Sequence, residues 1–425
     1  MTRMSALAAV LTILAATQVD AATAPPVDRC TLSNFWRDTY RPAPAFPGQT
    51  LAPAPAMPSQ FRVDVLAKGL VQPWALAFLP DGRMLVTERP GRMRIVSGDG
   101  TLSVPLEGLP PIKTVAGEGL HDVLLDRQFA TNRIVYFTYF APLADGVLTG
   151  ELPAWRAWIE LPAGEHEAKP YGYSRLARAR LSADATRLED VQVILDGANR
   201  RIIQTDDGRL FVLGAAPVGG LQAVDDEPQR PGNTYGKVLR INADGSIPQD
   251  NPWVGKQGVR PEIFALGQRD QEGGTLHPVT GELWTVEHGP RGGDELNVVR
   301  PGRNYGFPLI SYGRNYSADL ISGGKTAQEG LEQPVYFWTP SIAPSGLLFY
   351  TGVLFPDWRN SLFVGGLGSK RLVRLELSGE RVVAEEPLLV DRCRRIRDVR
   401  QGPEGALYVL TAEDDGELLR ITPLN

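Results

Sequence analysis

The sequence lacks a long hydrophobic run after its first two dozen residues, so no later segment is predicted to cross a membrane. It also lacks a charge run or a low-complexity linker that would divide its 425 residues into separate domains. Helical periodicity is scarce, which argues against an α/β barrel. The net charge of −5 argues against nucleic acid as a partner. These absences favour one domain built mainly from strands and turns.

The N-terminus has the pattern of an export signal. Arg3 precedes an apolar stretch, residues 6–16, and the small-residue sequence Val-Asp-Ala follows at 19–21. This pattern predicts a signal peptide over residues 1–21 and a protein that is periplasmic or secreted. A proline-rich arm, residues 22–58, then precedes the first strand-like segment.

Cysteine is nearly absent, since only Cys30 and Cys393 occur, at opposite ends of the chain. In an oxidising compartment such a pair can form one disulfide, which would tie the N-terminal arm to the last part of the chain. Two buried free thiols are the alternative.

What the sequence does contain is a short unit repeated six times, in which a turn with Gly or Asn leads into a strand of alternating apolar and polar residues. Such turns before β-branched or aromatic residues are a hairpin signal. The units are residues 80–86, 131–136, 206–212, 279–284, 358–364 and 403–409. Their spacing of roughly 45 to 80 residues suits propeller blades with variable loops. The sequence therefore predicts an all-β, six-bladed β-propeller over residues 59–425.

A propeller must close its ring, and a common solution places strands from both ends of the chain in one blade. Residues 61–66 and 417–421 alternate apolar and polar side chains and are the candidates for this closing blade. A bond between Cys30 and Cys393 would lie close to it.

Five arginines occur within the nine residues 392–400, in a protein that is acidic overall. On a strand, Arg395 and Arg397 point to the same face. Two adjacent guanidinium groups repel unless an anion or paired carboxylates lie between them, and carboxylate ligands suit their bidentate geometry. This pattern predicts an anion site, with a solvated strand edge or a salt-bridged face as the alternative.

A second unusual segment, residues 287–297, combines acids, glycines and a proline, and residues 302–306 follow it. Glycine lets backbone carbonyl groups turn toward a ligand, and carbonyl and carboxylate oxygens are the ligands that calcium prefers. The segment therefore predicts a calcium loop, although many Gly-rich acidic loops are only turns.

Together these segments resemble the soluble aldose sugar dehydrogenases that depend on pyrroloquinoline quinone (PQQ), the glucose/sorbosone dehydrogenase family. The resemblance runs from about Phe61 to the C-terminus. Six segments carry it: residues 236–241, 244–248, 267–269, 287–297, 311–316 and 395–399. That family is a six-bladed propeller, in agreement with the repeat count.

The resemblance implies a cofactor site. Arg395 and Arg397 would hold carboxylates of PQQ, Arg269 would contact its ortho-quinone edge, and Tyr316 would line the cofactor. The substrate would be an aldose, oxidised at its C1 hydroxyl to a lactone, and an external acceptor would take the electrons.

The resemblance also implies calcium. Carbonyl groups of Gly289 and Pro290 would bind the ion that polarises the quinone, and Glu295 and Tyr305 match positions linked to a further calcium. A cation and arginines together would stabilise the negative charge that develops on the quinone oxygen.

One family feature is missing. In the family a histidine upstream of the third blade's Asp-Gly turn acts as general base, and a gapless match puts Gly197 at that position. His121 is a candidate for a relocated base, with a structural role as the alternative, and the family's Arg-Asn pair appears as Arg269-Asp270. Two further functions therefore stay open: a carbohydrate- or partner-binding propeller without turnover, and a calcium-dependent lactonase.

Overall fold

Six antiparallel sheets are arranged as the blades of a β-propeller, which confirms the predicted fold. The structure, a computed structural model, describes residues 30, 40–115, 117–142, 173–197, 200–214 and 226–424. The predicted signal peptide, residues 1–21, lies outside these residues. Within them, no helix has both the length and the apolar character needed to cross a membrane.

The described elements are almost all strands. In chain order they are β1 (Phe61–Leu70), β2 (Pro73–Phe78), β3 (Met84–Glu88), β4 (Arg92–Val96), β5 (Leu120–Leu125), β6 (Ile134–Ala141), β7 (Tyr173–Leu181), β8 (Leu188–Asp196), β9 (Arg201–Gln204), β10 (Leu210–Leu213), β11 (Lys237–Ile241), β12 (Ile263–Leu266), β13 (Gln271–Leu276), β14 (Leu283–Glu287), β15 (Asp294–Val299), β16 (Tyr336–Trp338), β17 (Pro344–Phe349), β18 (Leu362–Gly366), β19 (Arg371–Ser378), β20 (Arg381–Leu388), β21 (Ile396–Gln401), β22 (Leu407–Thr411) and β23 (Gly416–Pro423). One short α-helix, α1 (Phe129–Asn132), and the 3₁₀ turns Glu227–Gln229, Ile321–Gly324 and Pro356–Trp358 lie in connections.

Consecutive strands form each blade. Blade 1 contains β2–β4, and blades 2 to 5 contain β5–β8, β9–β12, β13–β16 and β17–β20. Blade 6 contains β21–β23 and is completed by β1. The first strand of every blade contacts the first strand of the next, so that β2, β5, β9, β13, β17 and β21 form a closed inner ring. Residues on these six strands therefore meet near the propeller axis.

The six sequence repeats correspond to the turn before the second strand of each blade. At each turn one residue has a positive φ: Gly82, Arg133, Gly208, Gly281, Asn360 and Gly405. This left-handed conformation costs little for glycine and is tolerated by asparagine, which explains five of the six turns; Arg133 is the exception. The repeat was visible in the sequence because the turn chemistry is local.

Both ends of the chain close the ring. β1 pairs antiparallel with β23, with Phe61 opposite Pro423, as the sequence predicts. The Cys30–Cys393 disulfide is present, with a Cα–Cα distance of 5.2 Å. Because Cys393 precedes β21, the bond joins the N-terminal arm to blade 6.

Hydrophobic cores lie between neighbouring blades. Trp74 of β2 and Phe137 of β6 belong to the core between blades 1 and 2. Trp284 of β14 and Val364 of β18 belong to the core between blades 4 and 5. Burying each such side chain contributes about 1.5–3 kcal/mol. The cores hold the blades around the axis and so fix the positions of the inner strands.

The proline-rich arm packs along the outer strands of blades 4 and 5. The backbone carbonyl of Gln49 accepts a hydrogen bond from Phe337 of β16, and that of Pro53 accepts one from Glu385 of β20. Ser59 then donates to Glu386 through both its backbone and its hydroxyl, at 2.6 Å each. The arm thus covers strand edges that would otherwise expose unpaired backbone groups.

Candidate active site

A buried ion-pair cluster joins three blades near the propeller axis. Arg201 at the start of β9 lies 3.3 Å from an oxygen of Asp122 and 3.1 Å from one of Asp398. Arg400 contacts the same two carboxylates at 3.2 and 2.8 Å. Burial raises the pKa of Asp122, and the two arginines oppose that rise. The cluster ties β5, β9 and β21 together and supports the residues beside it.

The predicted arginine pair lies next to this cluster. Arg397 donates to Glu272 at 2.8 Å, and its guanidinium carbon lies 5.3 Å from the centre of the Trp74 ring. Burial lowers the pKa of Arg397 to about 10, and the positive charge of nearby Arg395 adds to this effect. Arg395 lies directly before β21, and the prediction that both arginines face one ligand stays a prediction.

Arg269 reaches the same region from the segment before β13. Its side chain donates to the His288 carbonyl at 3.0 Å and to the Tyr316 hydroxyl at 3.4 Å. Its backbone N–H donates to Glu287 at 2.6 Å, which fixes the start of the strand. Tyr316 is 44% exposed, so its ring is available to a ligand. Two more of the predicted cofactor residues thus lie side by side.

Three carboxylates lie among these arginines. Arg200 lies 3.1 Å from Glu118, 3.7 Å from Glu272 and 4.0 Å from Asp270. Burial raises the pKa of Glu118, while the charge of Arg200 opposes the rise. The arginines at positions 200, 395 and 397 thus lie among carboxylates, since Glu413 also lies close to Arg395.

Sequence reasoning did not assign Trp74, Glu118, Arg200 or Glu272 to the site. These residues come from blades 1, 2, 3 and 4, and each is isolated in the sequence. One signal was available, because each polar member lies in or just before an inner strand whose neighbours are apolar. A charged residue there must find a partner from another blade.

Gly197, the position matched to the family's general base, offers no room for a side chain. A β-carbon on Gly197 would lie 2.7 Å from the Thr234 hydroxyl oxygen, closer than real contacts allow. His121 is fully buried, with its ring 5.2 Å from that of Trp74 and its Nε2 3.4 Å from Glu118. Burial lowers its pKa well below the usual range, and nearby arginines add to this. Neither position presents a basic nitrogen at the surface.

The predicted calcium loop is held by one carboxylate. Asp294 is fully buried and accepts hydrogen bonds from the backbone of Gly289 at 2.9 Å and of Ile342 at 2.7 Å. The Ser341 hydroxyl also donates to it, at 2.7 Å. A β-carbon on Gly293 would lie 2.2 Å from the backbone nitrogen of Gly313, so only glycine allows this close approach. The loop carrying Gly289 and Pro290 is therefore rigidly positioned.

Glu295 faces a second carboxylate across the sheet. Its partner in β14 is Glu287, and burial raises the pKa of Glu295 to about 7 and that of Glu287 well above its usual value. In the adjacent pair on the same face, the buried oxygens Thr285 Oγ1 and Asn297 Oδ1 have no hydrogen-bond partner among the described residues. These oxygens surround a place where a hard cation would relieve the repulsion of two carboxylates.

The side chain of Tyr305 bonds to the backbone of its own blade. Its hydroxyl donates to the Val298 carbonyl at 2.6 Å and accepts from the Arg300 backbone at 2.9 Å. Its phenol group is thus satisfied within blade 4.

Asp270, Glu272 and His288 also approach one another, with one ligand-type atom of each within 4.8 Å of the others. Arg397 and Arg200 already supply positive charge to Glu272. We therefore expect no additional cation at these three residues.

Known proteins resemble this chain over most of its length. The family described as Glucose / Sorbosone dehydrogenase matches residues 70–420. Aldose sugar dehydrogenase YliI of Escherichia coli strain K12 is 38% identical over 379 residues, covering 85% of this chain and 93% of that protein. Quinoprotein glucose dehydrogenase B of Acinetobacter calcoaceticus is 26% identical over 432 residues, covering 84% and 88%. The crystal structure of the soluble aldose sugar dehydrogenase from Escherichia coli in the apo-form aligns with a TM-score of 0.76 at 36% identity, covering 86% of this chain and 100% of that one. The family match spans residues of all six blades.

Proposed function

Because the chain belongs to the glucose/sorbosone dehydrogenase family, we propose that it is a PQQ- and calcium-dependent oxidoreductase that oxidises the C1 hydroxyl of aldose sugars to lactones. The named relatives are dehydrogenases of sugars, and the Acinetobacter protein is a quinoprotein. Family membership supports the oxidation of a sugar as the reaction. Support for PQQ binding comes from the residues of the candidate site.

The arrangement of Arg269, Arg397 and Tyr316 is the observation that carries the proposal. Arg269 and Tyr316 come from blade 4 and Arg397 from blade 6, and a chain of ion pairs from Arg397 through Glu272 and Arg200 leads to Asp270, the residue after Arg269. PQQ is a tricarboxylate, and guanidinium groups suit the carboxylates of such an anion. Arg269, Tyr316, Arg395 and Arg397 would hold it, and when bound it would supply the ortho-quinone that accepts a hydride.

The calcium part of the proposal has support from oxygen groups near blade 4. Gly289 and Pro290 would offer backbone carbonyl groups, and Asp294 fixes the loop that carries them. Glu295 would bind a further calcium, and the unpaired Thr285 and Asn297 oxygens beside it favour a cation there. For Tyr305 only its backbone carbonyl fits this role, since its hydroxyl is bonded to Val298. These donor groups are of the type that calcium prefers.

The proposal also covers the location of the protein, its substrate and its electron acceptor. The disulfide is consistent with export, so we assign the protein to the periplasm or the extracellular space. An aldose would be the substrate, and an external acceptor would take electrons from the reduced quinone.

Reconstitution tests this function. The purified chain is mixed with calcium and PQQ, and the quinone absorption spectrum is recorded with and without excess aldose while reduction of a dye is followed. We expect saturable quinone binding and aldose-dependent dye reduction. Quinone binding without reduction would instead favour a non-catalytic carbohydrate-binding propeller, and calcium-dependent lactone hydrolysis without quinone binding would favour a lactonase.

A further inference from the structure

The N-terminal arm places one fully buried polar side chain, that of Gln49, against blade 4. Its amide oxygen accepts a hydrogen bond from the Ala45 backbone at 2.7 Å, and its amide nitrogen donates to the Pro334 carbonyl at 2.8 Å. Its backbone carbonyl accepts from Phe337 at 2.9 Å. A buried amide that is bonded at both ends is held in one orientation, because rotation would leave polar groups unpaired.

Gln49 in turn holds Tyr312, which is also buried. The Tyr312 hydroxyl donates between two amide oxygens, those of Gln49 at 3.1 Å and Gln333 at 2.6 Å. The Tyr312 ring stacks on that of Phe337, with 4.0 Å between the ring centres and 16° between the planes. Because Phe337 also bonds to Gln49, one residue of the arm fixes both the hydroxyl of Tyr312 and its stacking partner.

Tyr312 belongs to a loop, residues 311–316, whose backbone touches the predicted calcium loop. A β-carbon on Gly313 would lie 2.1 Å from the carbonyl oxygen of Gly292, so there is no gap between the two backbones. The Arg314 backbone N–H donates to the carbonyl of the residue before Gly292, at 3.3 Å. A shift of Tyr312 would therefore displace both loops.

Both loops carry groups that are proposed to hold the cofactor and its ion. The first loop, residues 311–316, ends at Tyr316, whose hydroxyl accepts a hydrogen bond from Arg269 at 3.4 Å. The second carries the carbonyl groups of Gly289 and Pro290. Because the loops are packed together, the contacts that fix one of them also fix the other.

We infer, on the basis of the proposed function, that Gln49 is a positioning residue for PQQ binding. It acts through Tyr312 on the two loops that present Tyr316 and the calcium ligands. Its own side chain is fully buried, so this action needs no contact with the cofactor. The family match covers residues 70–420, and Gln49 lies outside that range.

The arm also offers a matched comparison, because its residues contact different blades. Tyr40 lies against the same loop as Gln49, with the guanidinium carbon of Arg314 5.1 Å from its ring centre. Ser59, by contrast, bonds to Glu386 of β20 at 2.6 Å and accepts from the Trp358 indole at 2.8 Å. Loss of the Ser59 hydroxyl therefore loosens the arm at blade 5 and leaves the 311–316 loop in place.

Quinone titration of arm variants in the full chain tests this role. In saturating calcium, Gln49→Ala should weaken PQQ binding about two- to tenfold, the effect of one net hydrogen bond. Tyr312→Phe keeps the stacked ring and loses the hydroxyl, so it should also weaken binding. The losses should not add in the double variant, because both changes break the same contact. Ser59→Ala should lower the melting temperature without changing the quinone affinity.

Hydrogen exchange of the cofactor-free chain separates positioning from a general loss of stability. Peptides covering residues 311–316 and 287–297 should exchange faster in Gln49→Ala than in the wild type, because the contacts that restrain both loops are weakened. A peptide covering β3 in blade 1 should exchange at the wild-type rate. In Ser59→Ala the two loop peptides should also match the wild type.

Unchanged quinone affinity of Gln49→Ala, beside a wild type that binds quinone, would overturn the role of Gln49 and leave the proposed function standing. Additive losses in the double variant, or an equal loss of affinity in Ser59→Ala, would overturn it too. If Gln49→Ala does not fold, Tyr312→Phe decides: weaker binding supports the role, and unchanged binding overturns it. A wild type that binds no quinone would overturn both the proposed function and this inference.

Discussion

Gly197 packs directly against Thr234, so that a β-carbon on residue 197 would lie 2.7 Å from the Thr234 hydroxyl oxygen. The backbone at Gly197 also has a φ of +150°, which disfavours other residues. A side chain at residue 197 would therefore require Thr234 to move in the packing between blades 2 and 3.

The first prediction follows from this contact. Gly197→Ala should lower the free energy of unfolding by on the order of 1–3 kcal/mol, because it adds both backbone strain and a steric clash. Thermal unfolding followed by circular dichroism measures the change. Thr234→Ala in the same chain should recover part of the loss, because it removes the clashing hydroxyl. Equal stability of Gly197→Ala and the wild type would show that the Thr234 side chain moves away easily.

The second prediction concerns the anion site. Arg397→Ala should weaken PQQ binding at least about tenfold, the effect of losing a charged hydrogen bond of about 1.5 kcal/mol. The effect is increased because Glu272 then keeps only Arg200 to balance its negative charge. Titration of the quinone spectrum measures the affinity. Arg394→Ala is the control, since Arg394 pairs with the exposed Asp415, and unchanged affinity in Arg397→Ala would remove this residue from the site.

The third prediction concerns how the stability of the calcium-free protein, prepared in EDTA, depends on pH. Burial raises the pKa of Glu295 to about 7 in the folded state, above its ordinary value of 4.5. The folded state therefore binds a proton that the unfolded state releases, and stability should fall as the pH rises from about 5 to 7. Thermal melts in EDTA across this range measure the fall. Glu295→Gln should reduce the dependence of the melting temperature on pH. Calcium should reduce it too, because it favours the ionised carboxylates. A wild type that becomes more stable as the pH rises would contradict the buried carboxylate pair.

The fourth prediction concerns the disulfide. The bond joins residues 363 positions apart, and a loop of this length constrains the unfolded chain by about 5 kcal/mol in the chain-entropy model. Removing both thiols with Cys30→Ser and Cys393→Ser should lower the midpoint of urea unfolding. Reduced wild type should unfold at the same midpoint as the double variant. If the midpoints of the oxidised and reduced proteins coincide, the bond does not stabilise the fold.

Much of the fold could be predicted from the sequence because its determinants are local. The Gly and Asn turns, the alternating strands and the two terminal strands of the closing blade are each read from a few adjacent residues. The turn residue at Gly82 or Gly405 is selected by its own backbone conformation, whatever lies around it. The prediction of an arginine pair at Arg395 and Arg397 also used a local signal, although Arg395 lies just before β21.

The arrangement of the candidate site depends on contacts between different blades, and these cannot be predicted from adjacent residues in the sequence. Arg200, Glu118 and Glu272 lie far apart in the chain, and only the ordering of blades 2, 3 and 4 around the axis places both carboxylates within 4 Å of Arg200. Likewise, the sequence does not show that Gly197 packs against Thr234, which occupies the space beside it in the structure.

The sequence by itself thus determined a six-bladed propeller and its closing blade, because turn chemistry and strand alternation act over a few residues. The calcium loop and the arginine pair are predictions from the same kind of local pattern. Only the tertiary structure decided which carboxylates neutralise those arginines and how exposed each one is. It also decided that His121 is buried. Ion pairing and burial depend on distances between blades, and those distances are set by the packing of the whole ring.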